Sequence, residues 1–183
     1  MPAPILTLPN QITFLRLALL PVYFILIFYG HYPSALGVLL VAGLSDALDG
    51  QVARRLNQKS ELGAFLDPIA DKLLLTGSYL ILALHHRIAW WLTILVLARD
   101  LIILMIATLI LLVVGYRTFP PTIYGKATTV VQILLVVAVI SGAAFDYPGH
   151  LRLNELLVYL TAALTVFSGL HYTVLVARSV SSN

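Results

Sequence analysis

The sequence predicts an all-α integral membrane protein of six transmembrane helices. Of its 183 residues, 60% are hydrophobic and only 10% are charged. Mean hydropathy is +0.97, far above that of an ordinary soluble domain. A span needs about 20 mostly apolar residues, and six such stretches can be placed with little chain left between them. Residues 1–183 are therefore expected to form a single membrane domain.

The stretches follow in order. Pro9 to Tyr29 is long enough to span and lacks the basic lead and small-residue cleavage site of a removable signal, so it is expected to be retained. A turn at Gly30 opens Pro33 to Val52. Phe65 to Leu84 contains Pro68, which either marks a helix start or kinks the span. His85, His86 and Arg87 read as turn residues before Ala89 to Val114. Ile123 to Ala144 comes fifth, and Leu153 to Ala177 follows a turn at Pro148.

Topology follows from the basic residues. Arg54, Arg55, Lys59, Arg117, Lys126 and Arg178 lie at one set of span ends, and only Arg87 and Arg152 at the other. The first set is therefore expected on the cytoplasmic side, with both termini there. Tyr29, Tyr32, Trp90 and Trp91 stand where outer-interface anchors are expected. The net charge of +3 reflects this bias, and without a basic stripe interleaved with aromatics nucleic acid is not an expected partner. The absence of cysteine excludes disulfides and thiolate ligands, so a bound metal would take oxygen or histidine nitrogen.

Against this apolar background, five of the eight acidic residues fall between Asp46 and Asp71. They form the pattern Asp46-x2-Asp49-Gly50-x2-Ala53-Arg54-x8-Gly63-x3-Asp67-x3-Asp71, with Glu61 between. Carboxylates near hydrocarbon cost several kcal/mol unless they face a cavity, a cation or one another, so they mark a functional site by default. At 1.5 Å per residue, Asp46 and Asp71 both lie roughly 20 Å below the outer turns, and Arg16 roughly 21 Å. Arg99 comes somewhat nearer mid-membrane. The i, i+3 pair Asp46/Asp49 and the i, i+4 pair Asp67/Asp71 each lie along one helix face, so four carboxylates converge from two helices. Gly50 and Gly63 leave room for a ligand beside the backbone. Converging carboxylates repel and call for a cation between them. Hard divalent ions such as Mg²⁺ or Mn²⁺ prefer such oxygens and often work in pairs on phosphates. Arg54 would suit a phosphate or polar head group.

Other charged residues carry two readings. Lys59 and Glu61 read as a solvated loop. Arg16 either joins the carboxylates or snorkels to the inner interface. Arg99 and Asp100 either belong to the site or compensate each other inside the bundle. Lys126 either meets a substrate or anchors the inner surface. A cation transporter would also place carboxylates in the membrane, but the acidic pattern occurs once and shows no inverted repeat.

The eight positions from Asp46 to Asp71 resemble the complete signature of the CDP-alcohol phosphatidyltransferase family, whose six-span fold would cover essentially the whole chain. Pro9-Asn10-x2-Thr13-x2-Arg16 and Gly125-Lys126-x2-Thr129-x2-Gln132 also resemble its acidic-phospholipid branch, which holds phosphatidylglycerophosphate and cardiolipin synthases.

The resemblance implies a reaction in which an acceptor hydroxyl attacks the lipid-linked phosphorus of CDP-diacylglycerol and CMP departs. It assigns Asp46, Asp49, Asp67 and Asp71 to Mg²⁺ or Mn²⁺, as two ions, with Asp71 also the general base. Asn10, Thr13, Asp46, Asp49, Gly50, Ala53, Arg54 and Gly63 would hold the CDP donor. Arg16, Arg99 and Lys126 would face the acceptor or the donor phosphate. A homodimer is also expected from the family; the depth of the site lets CDP reach it from the cytoplasm, and a bacterial inner membrane is the expected setting. Phosphatidylglycerophosphate synthases often follow an Arg-Glu pair in the fourth span with a second Arg two turns on, where this chain has Arg99-Asp100 and Ala107. That difference and the Arg117-Thr-Phe-Pro-Pro-Thr122 run favour phosphatidylglycerol over glycerol 3-phosphate as acceptor.

Overall fold

The computed structural model describes residues 8–56, 61–114 and 123–181, with side chains described for 14–45, 66, 68–106, 108–109, 112 and 123–175. Six helices follow one another: α1 (Leu8–Phe28), α2 (Tyr32–Leu56), α3 (Glu61–Leu84), α4 (Trp90–Val114), α5 (Ile123–Phe145) and α6 (His150–Ser181). Each overlaps one apolar stretch of the sequence, because a long apolar run satisfies its backbone groups within itself only as a helix. Glu61, expected in a loop, instead opens α3. Pro68 lies inside α3 and Pro21 inside α1.

The turns use the expected residues. Gly30 takes φ 75° and Gly149 φ 84°, the left-handed conformation that glycine adopts without steric cost. His86 at φ 56° turns the chain between α3 and α4.

Contacts group the chain into two compact units, one holding the residues up to His85 with Ile140–Asp146, the other His86–Val139 with Tyr147–Asn183. In the first, α1 packs against both α2 and α3. Its core includes Tyr23, Ile27, Ala35, Tyr79 and Leu82, each 1% exposed or less. In the second, α4 packs against α6, and Thr128 Oγ1 of α5 donates to the Leu164 carbonyl of α6 at 3.2 Å.

Large apolar side chains face outward on every helix, among them Ile25, Leu44, Leu104, Ile123 and Leu156, each more than half exposed. Such a surface suits hydrocarbon rather than water. By length and composition, two helices among the described residues reach a span, Ile123–Phe145 and His150–Leu175, with shorter apolar helices at Phe14–Phe28 and Tyr32–Ser45. Of the expected interfacial anchors, Tyr29, Trp90 and Trp91 are exposed, but Tyr32 is buried at 8%. It belongs to the core because the first turn of α2 faces its neighbours there.

Candidate active site

The aspartate pattern sits on two uninterrupted helices. Asp46, Asp49, Gly50, Ala53 and Arg54 occupy the C-terminal half of α2, and Gly63, Asp67 and Asp71 the N-terminal half of α3. Helical backbone through both stretches keeps each aspartate pair on one face. Asn10 and Thr13 lie in the first turns of α1. The side chains of Asn10, Thr13, Asp46, Asp49, Ala53, Arg54 and Asp67 lie outside the described set, as do Lys59 and the 117–122 run. Among the described residues no three His, Asp or Glu side chains gather.

Asp71 is described, and it meets Arg16. Nη1 of Arg16 donates to Oδ1 of Asp71 at 3.1 Å across α1 and α3. Arg16 is 2% exposed, whereas 54% of the Asp71 side chain is accessible. A guanidinium removed from solvent needs a hydrogen-bonded counter-charge, and the last aspartate of the pattern supplies it. Arg16 therefore does not snorkel. Beneath it, a crevice lined by Leu20, Tyr23, Leu39, Ala42 and Leu74 leaves no space for a water molecule. Arg16 thus rests on apolar side chains, while more than half of the Asp71 side chain it binds is accessible.

Seven residues further along both helices lies a second polar contact. Tyr23 and Ser78 approach at 2.9 Å, both buried. The Ser78 hydroxyl proton goes to the Leu74 carbonyl at 2.6 Å, so the Tyr23 hydroxyl is the donor. Beside this contact, α1 and α3 come so close that a Cβ at Gly77 would overlap the Phe24 ring.

In the second unit Arg99 is bound twice. Nη1 pairs with Asp100 at 2.8 Å and Nη2 donates to Ser168 Oγ of α6 at 2.7 Å. Both partners are largely buried, with 10% and 15% of the Arg99 and Asp100 side chains exposed. Arg99 is thus paired with its neighbour Asp100 and tied to α6 through Ser168. Lys126 stands exposed in the first turn of α5. Gln132, in the same sequence motif, is fully buried, and Tyr124 packs edge-on against Phe167 and His171 of α6.

Sequence reasoning singled out Arg16, Asp71 and Arg99 but missed Tyr23, Ser78 and Ser168. A signal for Ser168 existed: Thr161, Thr165 and Ser168 repeat at helical spacing and are all buried within an apolar helix.

Six helices with paired aspartates on two consecutive ones, and a buried arginine from a third bound to the last aspartate, define a class of helical proteins with aspartates placed among apolar helices. Within that class the chain belongs to the CDP-alcohol phosphatidyltransferase family, whose family model matches residues 6–167. It is 35% identical over 188 aligned residues to the human protein named cardiolipin synthase (CMP-forming), covering 91% of this chain and 61% of that protein. The corresponding rat protein is 36% identical with the same coverage. A Mycobacterium tuberculosis protein named probable phosphatidylglycerophosphate synthase is 33% identical over 97% of this chain and 85% of its own length. The chain thus spans about three fifths of the length of the human and rat relatives.

Proposed function

We propose that the chain is a phosphatidyltransferase that moves the phosphatidyl group of CDP-diacylglycerol to an acceptor hydroxyl and releases CMP, with phosphatidylglycerol as acceptor and cardiolipin as product. The observation that carries this reading is the buried Arg16 bound to Asp71, the aspartate whose own carboxylate remains half accessible. Family membership supports the donor, and the names of the human and rat relatives support the acceptor.

In this reading the acceptor oxygen forms a bond to the lipid-linked phosphorus, and the bond from that phosphorus to the CMP oxygen breaks. Asp71 takes the hydroxyl proton as the new bond forms. Arg16 fixes the carboxylate through Oδ1 and so orients the lone pairs left for the proton. Asn10, Thr13, Ala53 and Arg54 hold the CDP portion, and Gly50 and Gly63 let it approach the helix backbones. Arg99 and Lys126 bind the acceptor.

The residues fit a divalent metal pair. Every proposed ligand, Asp46, Asp49, Asp67 and Asp71, offers hard carboxylate oxygen suited to Mg²⁺ or Mn²⁺, and Asp71 is accessible to one. When bound, such ions offset the negative charge that grows on the departing phosphate.

Residues 1–183 act as one domain whose six helices cross the membrane, with both termini and the site at the cytoplasmic face of a bacterial inner membrane, as a homodimer. The apolar outward surface of every helix supports the membrane setting.

A second acceptor is favoured by one finding. The Mycobacterium tuberculosis relative, 85% of whose length this chain covers against 61% for the human and rat proteins, is named as a phosphatidylglycerophosphate synthase, which points to glycerol 3-phosphate. Purified protein supplied with CDP-diacylglycerol and each acceptor in turn separates the two readings through the mass of the lipid product. Cardiolipin is expected from phosphatidylglycerol, and phosphatidylglycerophosphate alone would reverse the choice.

A further inference from the structure

The contact between Tyr23 and Ser78 repeats the separation of the contact between Arg16 and Asp71, 55 residues in each case. Equal separations of the same sign mean that α1 and α3 run parallel with a fixed register. The same register sets Leu20 opposite Leu75 and Ile27 opposite Leu82, and all four are buried, at 5% exposure for the first two and none for the last two. The resulting positions, 16, 20, 23 and 27 against 71, 75, 78 and 82, alternate steps of four and three, the spacing of a seam between supercoiled helices.

Within this seam only two rungs are polar. Leu against Leu sets separation but tolerates sliding, because one apolar contact replaces another at little cost. A buried hydroxyl is different, since a slip would leave the Tyr23 proton without an acceptor in a dry interface. Gly77 adds a steric restraint from the same turn, because the Phe24 ring lies where its side chain would be.

We propose that Tyr23 and Ser78 are positioning residues, which set the register of α1 against α3 so that the Arg16 guanidinium meets the Asp71 carboxylate. They lie two helical turns, about 10 Å, from that pair and touch no reacting atom. The inference rests on the reading of Asp71 as the proton acceptor, but its structural half can be measured without activity.

The test uses the full chain, which has no cysteine. Spin labels at Leu15→Cys and Leu73→Cys, both exposed positions on the two helices, report the register by electron-resonance distance. The expected result is a single narrow distance that broadens in Tyr23→Phe/Ser78→Ala. An unchanged distribution overturns the inference. Because that double change removes donor and acceptor together, it leaves no buried group unsatisfied, and thermal stability is expected to stay near that of the unaltered chain.

In the activity arm, Tyr23→Phe is expected to lower kcat about tenfold with little change in KM for CDP-diacylglycerol, as a small misplacement of reacting groups does. The same change in an Arg16→Lys background is expected to cost less than about twofold, since the pair it serves is already disturbed. Equal losses in both backgrounds overturn the positioning role. If the unaltered chain releases no CMP, the reading of the reaction fails, while the distance measurement still decides whether these residues set the register.

Discussion

Arg16 Nη1 lies 3.1 Å from Asp71 Oδ1, with the arginine almost wholly buried and the aspartate more than half accessible. The two ends of this pair are not equivalent. Arg16 is withdrawn from the surface, whereas more than half of the Asp71 side chain is accessible. A carboxylate bound by a buried arginine yet more than half accessible is suited to take a proton from an incoming group.

Asp71→Asn keeps an oxygen that can accept from Arg16 but removes the basic carboxylate. Turnover is expected to fall at least about a hundredfold, while CDP-diacylglycerol binding stays within a few fold. Steady-state rates together with equilibrium binding of the donor check this, and a parallel loss of binding would contradict the role as base.

Asp71→Ala leaves a buried guanidinium without that acceptor. It is expected to destabilise the fold by about 2 kcal/mol, the scale for a lost hydrogen bond to a charged group. Thermal unfolding in detergent should therefore rank Asp71→Ala below Asp71→Asn.

Gly77→Ala would place a methyl group in the Phe24 ring. A loss of about 1–3 kcal/mol is expected from overpacking. Phe24→Leu in the same chain is expected to recover part of it, and unfolding midpoints of the single and double variants report the recovery.

Ser168→Ala removes the acceptor of Arg99 Nη2. If Arg99 binds the acceptor substrate, KM for that substrate is expected to rise several fold while KM for CDP-diacylglycerol does not. Equal effects on both would place Arg99 in support of the fold alone.

The helices were legible because a membrane-like chain announces them through length and punctuation. Gly30, Pro33 and Pro148 mark the turns, and α1 to α5 begin and end within a few residues of the apolar runs. α6 runs beyond its apolar run at both ends, since polar residues such as His150 and Ser181 can extend a helix past the hydrophobic stretch. The aspartate pattern was legible because charge is rare there, and depth counting places Arg16 at the level of Asp71, where the two side chains meet. Side-chain facing was not legible. When both faces of a helix are apolar, hydropathy does not separate lipid contact from helix contact, so Tyr32 read as an interfacial anchor and is buried instead. Tyr23, Ser78 and Ser168 escaped for the same reason, since each meets a polar partner on a helix distant in sequence.

The central claim is the transfer of a phosphatidyl group from CDP-diacylglycerol with loss of CMP. Its most direct test is CMP release by the purified chain, with and without acceptor, before and after chelation of divalent ions. The account predicts release that requires phosphatidylglycerol or glycerol 3-phosphate, stops on chelation and returns with Mg²⁺ or Mn²⁺. Failure to release CMP with either acceptor and either ion, from protein shown to be folded, would contradict it.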